Sequence, residues 1–293
     1  MTSVRGYLYI IVATLFWGVS ATVAKLLFTQ QVDMLVLVQM RITLSCLLLL
    51  TYFLLFKRDV LRMKVNDIYR FALLGIIGIA GSNFFYYFTI KETNVATAIL
   101  LQYLAPLLVL CYAALTREEE LSAVKITAGI VSLAGCFLAI AGKDLSILHI
   151  STAGLLSGFA SAFCWSFTNV SLRHVLKNYS IWTALMYAFI AASLFWFFFN
   201  PPWNIIEANY SSKEWEIFFL VAIISILIPH SFYFAGMKYL TASRAIITAT
   251  FEPIVAIVSA FFVVHEVLSP VQMIGAVLVI IAIAILQLKQ ETA

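Results

Sequence analysis

Long apolar stretches dominate the chain, and each is bounded by charged residues, proline or a polar cluster. A helix needs about 20 apolar residues to cross the hydrocarbon core of a bilayer. The pattern therefore predicts an all-α integral membrane protein with ten transmembrane helices. These helices are predicted near residues 7–27, 33–56, 68–90, 93–115, 122–141, 150–172, 180–199, 215–237, 241–264 and 268–288.

The composition argues against a soluble protein of this length. Of the 293 residues, 63% are hydrophobic and only 11% are charged, whereas a soluble domain carries about 25% charged residues. The ten spans and their short loops use nearly the whole chain, which leaves no room for a soluble enzyme domain. The net charge of +4 is therefore no sign of a nucleic-acid partner, and the lipid bilayer is the predicted surrounding.

The basic residues fall unequally on the two sides of the predicted spans. Of the 18 Lys and Arg residues, 13 lie on one side and four on the other, while Arg41 lies inside the second span. Cytoplasmic loops carry an excess of Lys and Arg. Both termini are therefore predicted to be cytoplasmic.

The second half of the chain resembles the first half when it is shifted by 147 residues. The matches at this shift are Phe85-Tyr86 with Phe232-Tyr233, Lys91 with Lys238, Ala98-Ile99 with Ala245-Ile246, and Pro106 with Pro253. Each half, 1–143 and 144–293, then holds five spans, and an odd number reverses the direction of the second half. Inverted repeats are the usual basis of alternating access around a site at the membrane midplane, so the repeat predicts transport.

Several short motifs carry a resemblance to a known family. They are Phe16-Trp17-Gly18, Arg41, Ala105-Pro106, Glu119, Phe251-Glu252-Pro253, Glu266-Val267-Leu268-Ser269 and Gly275. In these motifs the sequence resembles the drug/metabolite transporter superfamily, in particular its EamA-type branch, over essentially the whole chain. The resemblance implies two inverted five-helix repeats that move small metabolites, often amino acids, across the bacterial inner membrane. It also implies a central cavity lined by helices 1, 3, 4, 6, 8 and 9, with helices 5 and 10 peripheral.

Glu252 is predicted near the middle of the ninth span, directly before Pro253. A charged group near the bilayer centre costs about a few kcal/mol or more, so a carboxylate there is expected to have a functional or structural role. Pro253 removes a backbone hydrogen bond and should loosen the helix. Glu252 is therefore a candidate to bind a substrate amine or a coupling proton. The alternative is a structural carboxylate bonded to another helix.

His230 and Asn83 occupy equivalent positions in the two halves, just before the repeated Phe-Tyr pair. Histidine shuttles protons near neutral pH, so His230 is a candidate for substrate binding and coupling. The alternative is a neutral ring bonded to a backbone carbonyl. Asn83 is a candidate to hydrogen-bond the substrate. Arg41 is a candidate gating residue that either snorkels outward or pairs with a carboxylate.

Aromatic residues complete the set of candidates. Trp17 and Trp165 lie at equivalent mid-span positions, and aromatic faces bind cationic amines or stack on rings. Most aromatic side chains of a membrane protein simply face lipid, which is the alternative here. The further substrate-binding candidates on predicted cavity helices are Trp17, Tyr86, Tyr103, Trp165, Asn169 and Tyr233.

Together these features predict a secondary transporter that exports a small metabolite, an amino acid or a related compound, by alternating access. Proton coupling and facilitated diffusion both stay open, and so does import of an amine, cofactor or other metabolite. A membrane enzyme acting on lipid is the alternative from another class, which four histidines and the lack of a metal-diphosphate motif disfavour. No metal or cofactor site is predicted, and the protein is expected to be a monomer or a homodimer.

Overall fold

The computed structural model describes residues 2–28, 34–93, 95–141, 151–264 and 269–288, and within these ranges the chain is helical and has no strand. The predicted all-α class is therefore confirmed. Helices satisfy their own backbone hydrogen bonds, as a chain in hydrocarbon must. The motif residues Glu266, Val267 and Leu268 from the sequence analysis lie outside the described ranges.

The described residues of the first half form seven α-helices, with two short 3-10 helices, Arg58–Leu61 and Val65–Asp67, in the connection after the second. The α-helices are α1 (Thr2–Phe28), α2 (Met34–Phe56), α3 (Ile68–Leu73), α4 (Ser82–Glu92), α5 (Val95–Gln102), α6 (Ala105–Thr116) and α7 (Ala123–Ala141). A π-helical segment, Leu74–Gly81, joins α3 to α4 without a break.

In the second half, the part of the chain that the structure describes forms eight α-helices. They are α8 (Thr152–Val175), α9 (Ile181–Phe199), α10 (Pro202–Glu207), α11 (Ser212–Val221), α12 (Ile228–Met237), α13 (Ala242–Ala249), α14 (Glu252–Val264) and α15 (Pro270–Leu288). Serine side chains at Ser151, Ser180 and Ser211 accept backbone N–H bonds and so begin α8, α9 and α11. A second π segment, Ala222–Leu227, joins α11 to α12.

Two predicted spans are interrupted at equivalent positions. The fourth predicted span breaks at Tyr103–Leu104, between α5 and α6, and the ninth breaks at Thr250–Phe251, between α13 and α14. Pro106 and Pro253 are each the second residue of the helix that follows, where the missing proline N–H costs no helical bond. The breaks lie 147 residues apart, as do the two prolines.

Seven of the described helical stretches are long and apolar enough to cross a membrane. Two shorter apolar stretches, Val4–Ser20 and Pro270–Leu286, lie within α1 and α15. The helix α8 has 24 residues and is not among the seven. The count of ten spans, the inversion of the halves and the side of the termini therefore stay predictions.

Close packing at glycine positions holds the helices of the bundle together. A Cβ added at Gly75 would lie 2.3 Å from the carbonyl oxygen of Ala188 in α9, and one at Gly78 would lie 2.7 Å from Thr168 Oγ1 in α8. The first π segment is therefore pressed between α8 and α9. Backbone approaches this close need residues without side chains, as at small-residue contacts in membranes.

The tightest of these contacts predicts a measurable loss of stability. A Cβ at Gly275 would lie 2.3 Å from Ala139 N and 2.6 Å from Gly135 O, which are backbone atoms. We expect Gly275→Ala to force α15 away from α7 and to cost about 1–3 kcal/mol, seen as a lower thermal-unfolding midpoint in detergent.

Gly129→Ala is the matched control for this prediction. Its Cβ would meet mainly Leu110 Cδ1, the end of a flexible side chain, at 2.7 Å. An equal loss of stability in the two variants would contradict the backbone clash as the cause.

Candidate functional site

A central cavity lies among the helices and contains about 920 Å³ of empty space, its open mouth included. The six predicted lining spans all contribute to its wall, and α2 adds one further side chain, Arg41. The lining residues are Trp17, Ser20, Arg41, Ser82, Asn83, Tyr86, Tyr87, Ile99, Gln102, Tyr103, Trp165, Ser225, Ile226, His230, Ala249 and Glu252.

Eight of the ten candidate residues from the sequence line this cavity. They are Trp17, Arg41, Asn83, Tyr86, Tyr103, Trp165, His230 and Glu252. The other two, Asn169 and Tyr233, are fully buried outside its wall and bonded to each other, with Tyr233 Oη donating to Asn169 Oδ1. In this arrangement Asn169 and Tyr233 therefore do not reach the cavity where a substrate would bind.

The acidic group of the cavity comes from the break in the ninth predicted span. Glu252 is the first residue of α14, and its Oε2 accepts a hydrogen bond of 3.0 Å from Tyr103 Oη. Tyr103 stands at the equivalent break between α5 and α6. The two interruptions therefore bring a phenol and a carboxylate together, and the carboxylate is bonded across the two halves of the chain.

The basic group of the cavity is Arg41. Its Nη2 donates to Asn83 Oδ1 at 2.6 Å, and its Cζ lies 5.2 Å from the ring centroid of Tyr87. Asn83 is held in turn because its Nδ2 donates to the carbonyl of Ile79. The sequence had suggested a carboxylate partner or a snorkelling side chain, but Arg41 is paired with an amide instead. Its buried Nε has no hydrogen-bond partner among the described residues.

Arg41 and Glu252 thus line one cavity without forming an ion pair with each other. Among the described residues, the ion pairs involve neither Arg41 nor Glu252. Charges within a membrane protein normally pair with one another or face water. An unpaired cation and anion in the same wall are therefore groups that a bound molecule of opposite charges can neutralise.

His230 is held on one side by its own helix. Its Nδ1 lies 2.9 Å from the carbonyl of Ile226, and its ring meets Trp17 edge-on at 5.2 Å between centroids. A carbonyl only accepts, so Nδ1 carries the hydrogen and Nε2 of a neutral ring is left as an acceptor. The backbone-bonded histidine foreseen as the structural alternative is therefore present, although the side chain still lines the cavity.

The aromatic side chains form a cluster at the centre of the bundle. Trp17 meets Trp165 edge-on at 5.8 Å between ring centroids, and Tyr233 lies 5.2 Å from Trp17 and 5.4 Å from Trp165. Both tryptophans belong to the cavity wall. Such faces attract cations and stack on planar rings.

Polar residues that the sequence analysis did not single out also reach the cavity. Gln102 Nε2 donates to Ser161 Oγ at 2.9 Å, and Ser20 Oγ donates to the carbonyl of Trp17. Gln102 directly precedes the first break, and its equivalent at the shift of 147 residues, Ala249, also lines the cavity. The internal repeat could therefore have indicated Gln102, because the residues directly before the two breaks both face the central cavity.

Known proteins of similar sequence are transporters. The profile of the EamA-like transporter family matches residues 4–141 and 152–288. The riboflavin transporter ImpX of Fusobacterium nucleatum subsp. nucleatum is 27% identical over 96% of each chain. The uncharacterized inner membrane transporter YicL of Salmonella typhimurium is 24% identical, over 85% of this chain and 84% of that one. The threonine/homoserine exporter RhtA of Escherichia coli K12 is 23% identical, over 80% of this chain and 76% of its own.

A solved crystal structure shares the fold. It superposes with a TM-score of 0.78 over 97% of this chain and 96% of that chain, at 20% sequence identity. At this identity the likeness concerns the fold alone.

The bond between Tyr103 and Glu252 predicts a specific pattern of stabilities. We expect Tyr103→Phe to lower stability by about 1.5–3 kcal/mol, because it leaves a partly buried carboxylate without its donor. In a Glu252→Met background the same change should cost little, because the acceptor is already gone. Thermal-unfolding midpoints of the two single variants and the double variant measure this coupling.

Tyr86→Phe is the control, because the Tyr86 hydroxyl lies in the same cavity and has no hydrogen-bond partner among the described residues. Strictly additive losses in the cycle would mean that the phenol and the carboxylate do not interact.

Proposed function

The chain belongs to the EamA-like transporter family, and from that premise we propose that it is a secondary transporter which exports a zwitterionic metabolite, an amino acid or a close relative of one. In coarser terms it is a multi-pass inner membrane transporter of a small metabolite, and not an enzyme. The substrate class, the direction and the coupling are our proposal.

The observation that carries the proposal is the pair of opposite, unpaired charges in the central cavity. Arg41 has a bond to Asn83 and a buried Nε that has no hydrogen-bond partner among the described residues, and it suits a substrate carboxylate. Glu252 accepts only from Tyr103 among the described residues and suits a substrate ammonium group. An amino acid carries both groups, so one molecule neutralises both charges and offsets their cost inside the membrane.

The aromatic wall favours a second candidate. Trp17, Trp165 and Tyr86 offer ring faces on which a planar compound stacks, and one relative is named as a riboflavin transporter. Import of a planar cofactor or an aromatic amine would use these faces and would leave Arg41 or Glu252 without a charged partner.

We further propose ten helices arranged as two inverted five-helix halves, 1–143 and 144–293, with both termini in the cytoplasm. The two separate matches of the family profile support the division. The paired π segments and the paired breaks, each about 147 residues apart, support it as well. Halves of opposite direction exchange conformations, which opens a shared site to either side in turn.

Coupling to protons is proposed to run through Glu252. A carboxylate that binds either a substrate ammonium or a proton, but not both, exchanges one for the other across the membrane. The first half has no equivalent group, because Ala105 stands at the matching position. The exchange would therefore depend on a single residue.

The substrate class predicts which ligands stabilise the protein. We expect L-amino acids, with L-threonine and L-homoserine in the panel, to raise the thermal-unfolding midpoint of the purified protein. The matching amine without its carboxylate, and the matching acid without its amino group, should each fail. Arg41→Gln should weaken binding of the zwitterion about tenfold or more, because charge-assisted hydrogen bonds are lost.

Asn83→Ala keeps the charge of Arg41 and is the control for this series; we expect a smaller loss than in Arg41→Gln. Stabilisation by riboflavin together with indifference to every amino acid would favour the second candidate and refute the first.

The coupling predicts a pH-dependent flux. In proteoliposomes, an imposed pH gradient should accelerate uptake of a radiolabelled amino acid by the wild-type protein. Glu252→Gln cannot take up a proton, so its flux should lose the response to the gradient. Amino acid exchange without a gradient should continue at a reduced rate, because the Gln side-chain oxygen still accepts a hydrogen bond from the ammonium group. Flux that ignores the gradient for every amino acid that binds would exclude proton coupling.

A further inference from the structure

A second cavity lies farther along three of the spans that line the central cavity. It contains about 520 Å³ of empty space, its open mouth included. Its wall comes from α6, α8 and the start of α13, and from the connection after α6. The lining residues are Val109, Tyr112, Ala113, Glu118, Glu119, Val170, Arg173, His174, Lys177, Thr241 and Ala242.

This second cavity is polar and open to solvent at its rim. Glu118 and His174 lie 3.0 Å apart with 40% and 38% of their side-chain surfaces exposed. Tyr112 Oη donates to Glu118, and Arg173 Nη1 donates to the carbonyl of Leu240. Ionisable residues of membrane proteins normally face water or a partner, so the second cavity has the character of a vestibule.

The two cavities are separated by a thin layer along α8. Trp165 lines the central cavity and Arg173 lines the second, and Asn169 lies between them on the same face of the helix. Val170 also lines the second cavity, so the nearest lining residues of the two cavities along α8 are five residues apart, which is about 7.5 Å of helix. Asn169 has no exposed surface and lines neither cavity.

The same layer passes through α12. His230 lines the central cavity, and Met237, seven residues farther on, gives its carbonyl to Arg173 of the second cavity. Tyr233 lies between them, fully buried, and donates its hydroxyl to Asn169. The rings of Trp17 and Trp165 cover Tyr233 on the side of the central cavity. The hydrogen-bonded pair, Asn169 of α8 and Tyr233 of α12, therefore lies between the two cavities.

We propose that the second cavity is the vestibule at the opposite end of the transport path, and that the bond between Asn169 and Tyr233 closes the barrier between the two cavities. The proposal rests on the proposed transport function. It assigns to the pair a gating role in place of the substrate contact expected from the sequence. The bond must break whenever cargo passes between the cavities. The vestibule contains the basic residues Arg173 and Lys177. In the orientation predicted from the Lys and Arg count, these residues lie on the cytoplasmic side.

Labelling of single reporter cysteines with a membrane-impermeant maleimide tests the barrier without any cargo. The reporters are Thr241→Cys in the vestibule and Ser20→Cys in the central cavity. Exposed Cys111 is replaced by alanine, and the other native cysteines, Cys46, Cys136 and Cys164, are buried. The variants Tyr233→Phe and Asn169→Ala are also labelled without a reporter cysteine, which measures the background labelling of the remaining native cysteines. Sealed vesicles of both orientations allow the reagent to act from either face.

We expect Thr241→Cys to label from one face only, and Ser20→Cys to label slowly from that face. Adding Tyr233→Phe or Asn169→Ala should raise the rate at Ser20→Cys from that face about fivefold, the effect of losing one hydrogen bond on a two-state equilibrium. The control Tyr187→Phe should leave it unchanged. Tyr187 also donates to a carbonyl, that of Leu61, but lines neither cavity.

An unchanged rate in Tyr233→Phe and Asn169→Ala would overturn the barrier, as would an equal rise in Tyr187→Phe. Thr241→Cys that labels from neither face would overturn the vestibule. None of these results depends on the cargo, so the barrier can fail while the amino acid proposal stands, and the reverse also holds.

Discussion

In a bilayer, backbone N–H and C=O groups that face hydrocarbon must find partners within the chain, because no water is present to replace them. This constraint favours helices, and the described residues form helices joined by short connections. The central cavity lies where the constraint is relaxed in the protein interior. At Tyr103–Leu104 and Thr250–Phe251 the helices stop and restart, with a proline in each new first turn. Irregular backbone of this kind is tolerated where it lines a cavity, and here it presents Tyr103 and Glu252 to the same space.

The bond between Tyr103 and Glu252 joins the two halves of the chain at the site itself. Its phenol comes from one half and its carboxylate from the other, so relative movement of the halves changes the surroundings of the carboxylate. Arg41 is held within the first half by Asn83. A zwitterion bound between Arg41 and Glu252 would therefore bridge the halves, which links occupancy of the site to conformation. This is the physical requirement for a carrier: the ligand must interact differently with the two states.

The two halves share equivalent positions along the chain, but the side chains at two of these positions differ in chemistry. At the place of Glu252 the first half has Ala105, and at the place of His230 it has Asn83. The backbone features repeat, since the π segments and the helix breaks recur at nearly the same shift. Pro106 and Pro253 stand at equivalent positions, each in the first turn of the helix that follows a break. The charge of the cavity depends on single side chains, and those are free to differ without loss of the fold.

The resemblance to the EamA-type branch selected the helices whose residues line the cavity, and eight of the ten candidates belong to its wall. It could not tell which residues along a lining helix reach the surface of the cavity and which are buried beneath it. Asn169 shares a face of α8 with Trp165, and Tyr233 follows His230 by one turn, yet both lie beneath the wall. A helical face extends along the whole span, whereas a cavity occupies only a few turns of it. The pairing of Arg41 with Asn83 was likewise beyond the resemblance, because it depends on how α2 is placed beside α4.

The sequence by itself determined the all-helical class, the membrane environment and the pairing of positions at a shift of 147 residues. These properties follow from local rules: the length of an apolar run, the chemistry of proline and the absence of water in hydrocarbon. The tertiary structure alone decided which polar groups meet. The bond from Tyr103 to Glu252 spans 149 residues of sequence, and that from Tyr233 to Asn169 spans 64. Such contacts depend on how helices pack, and packing is set by the whole set of facing side chains at once.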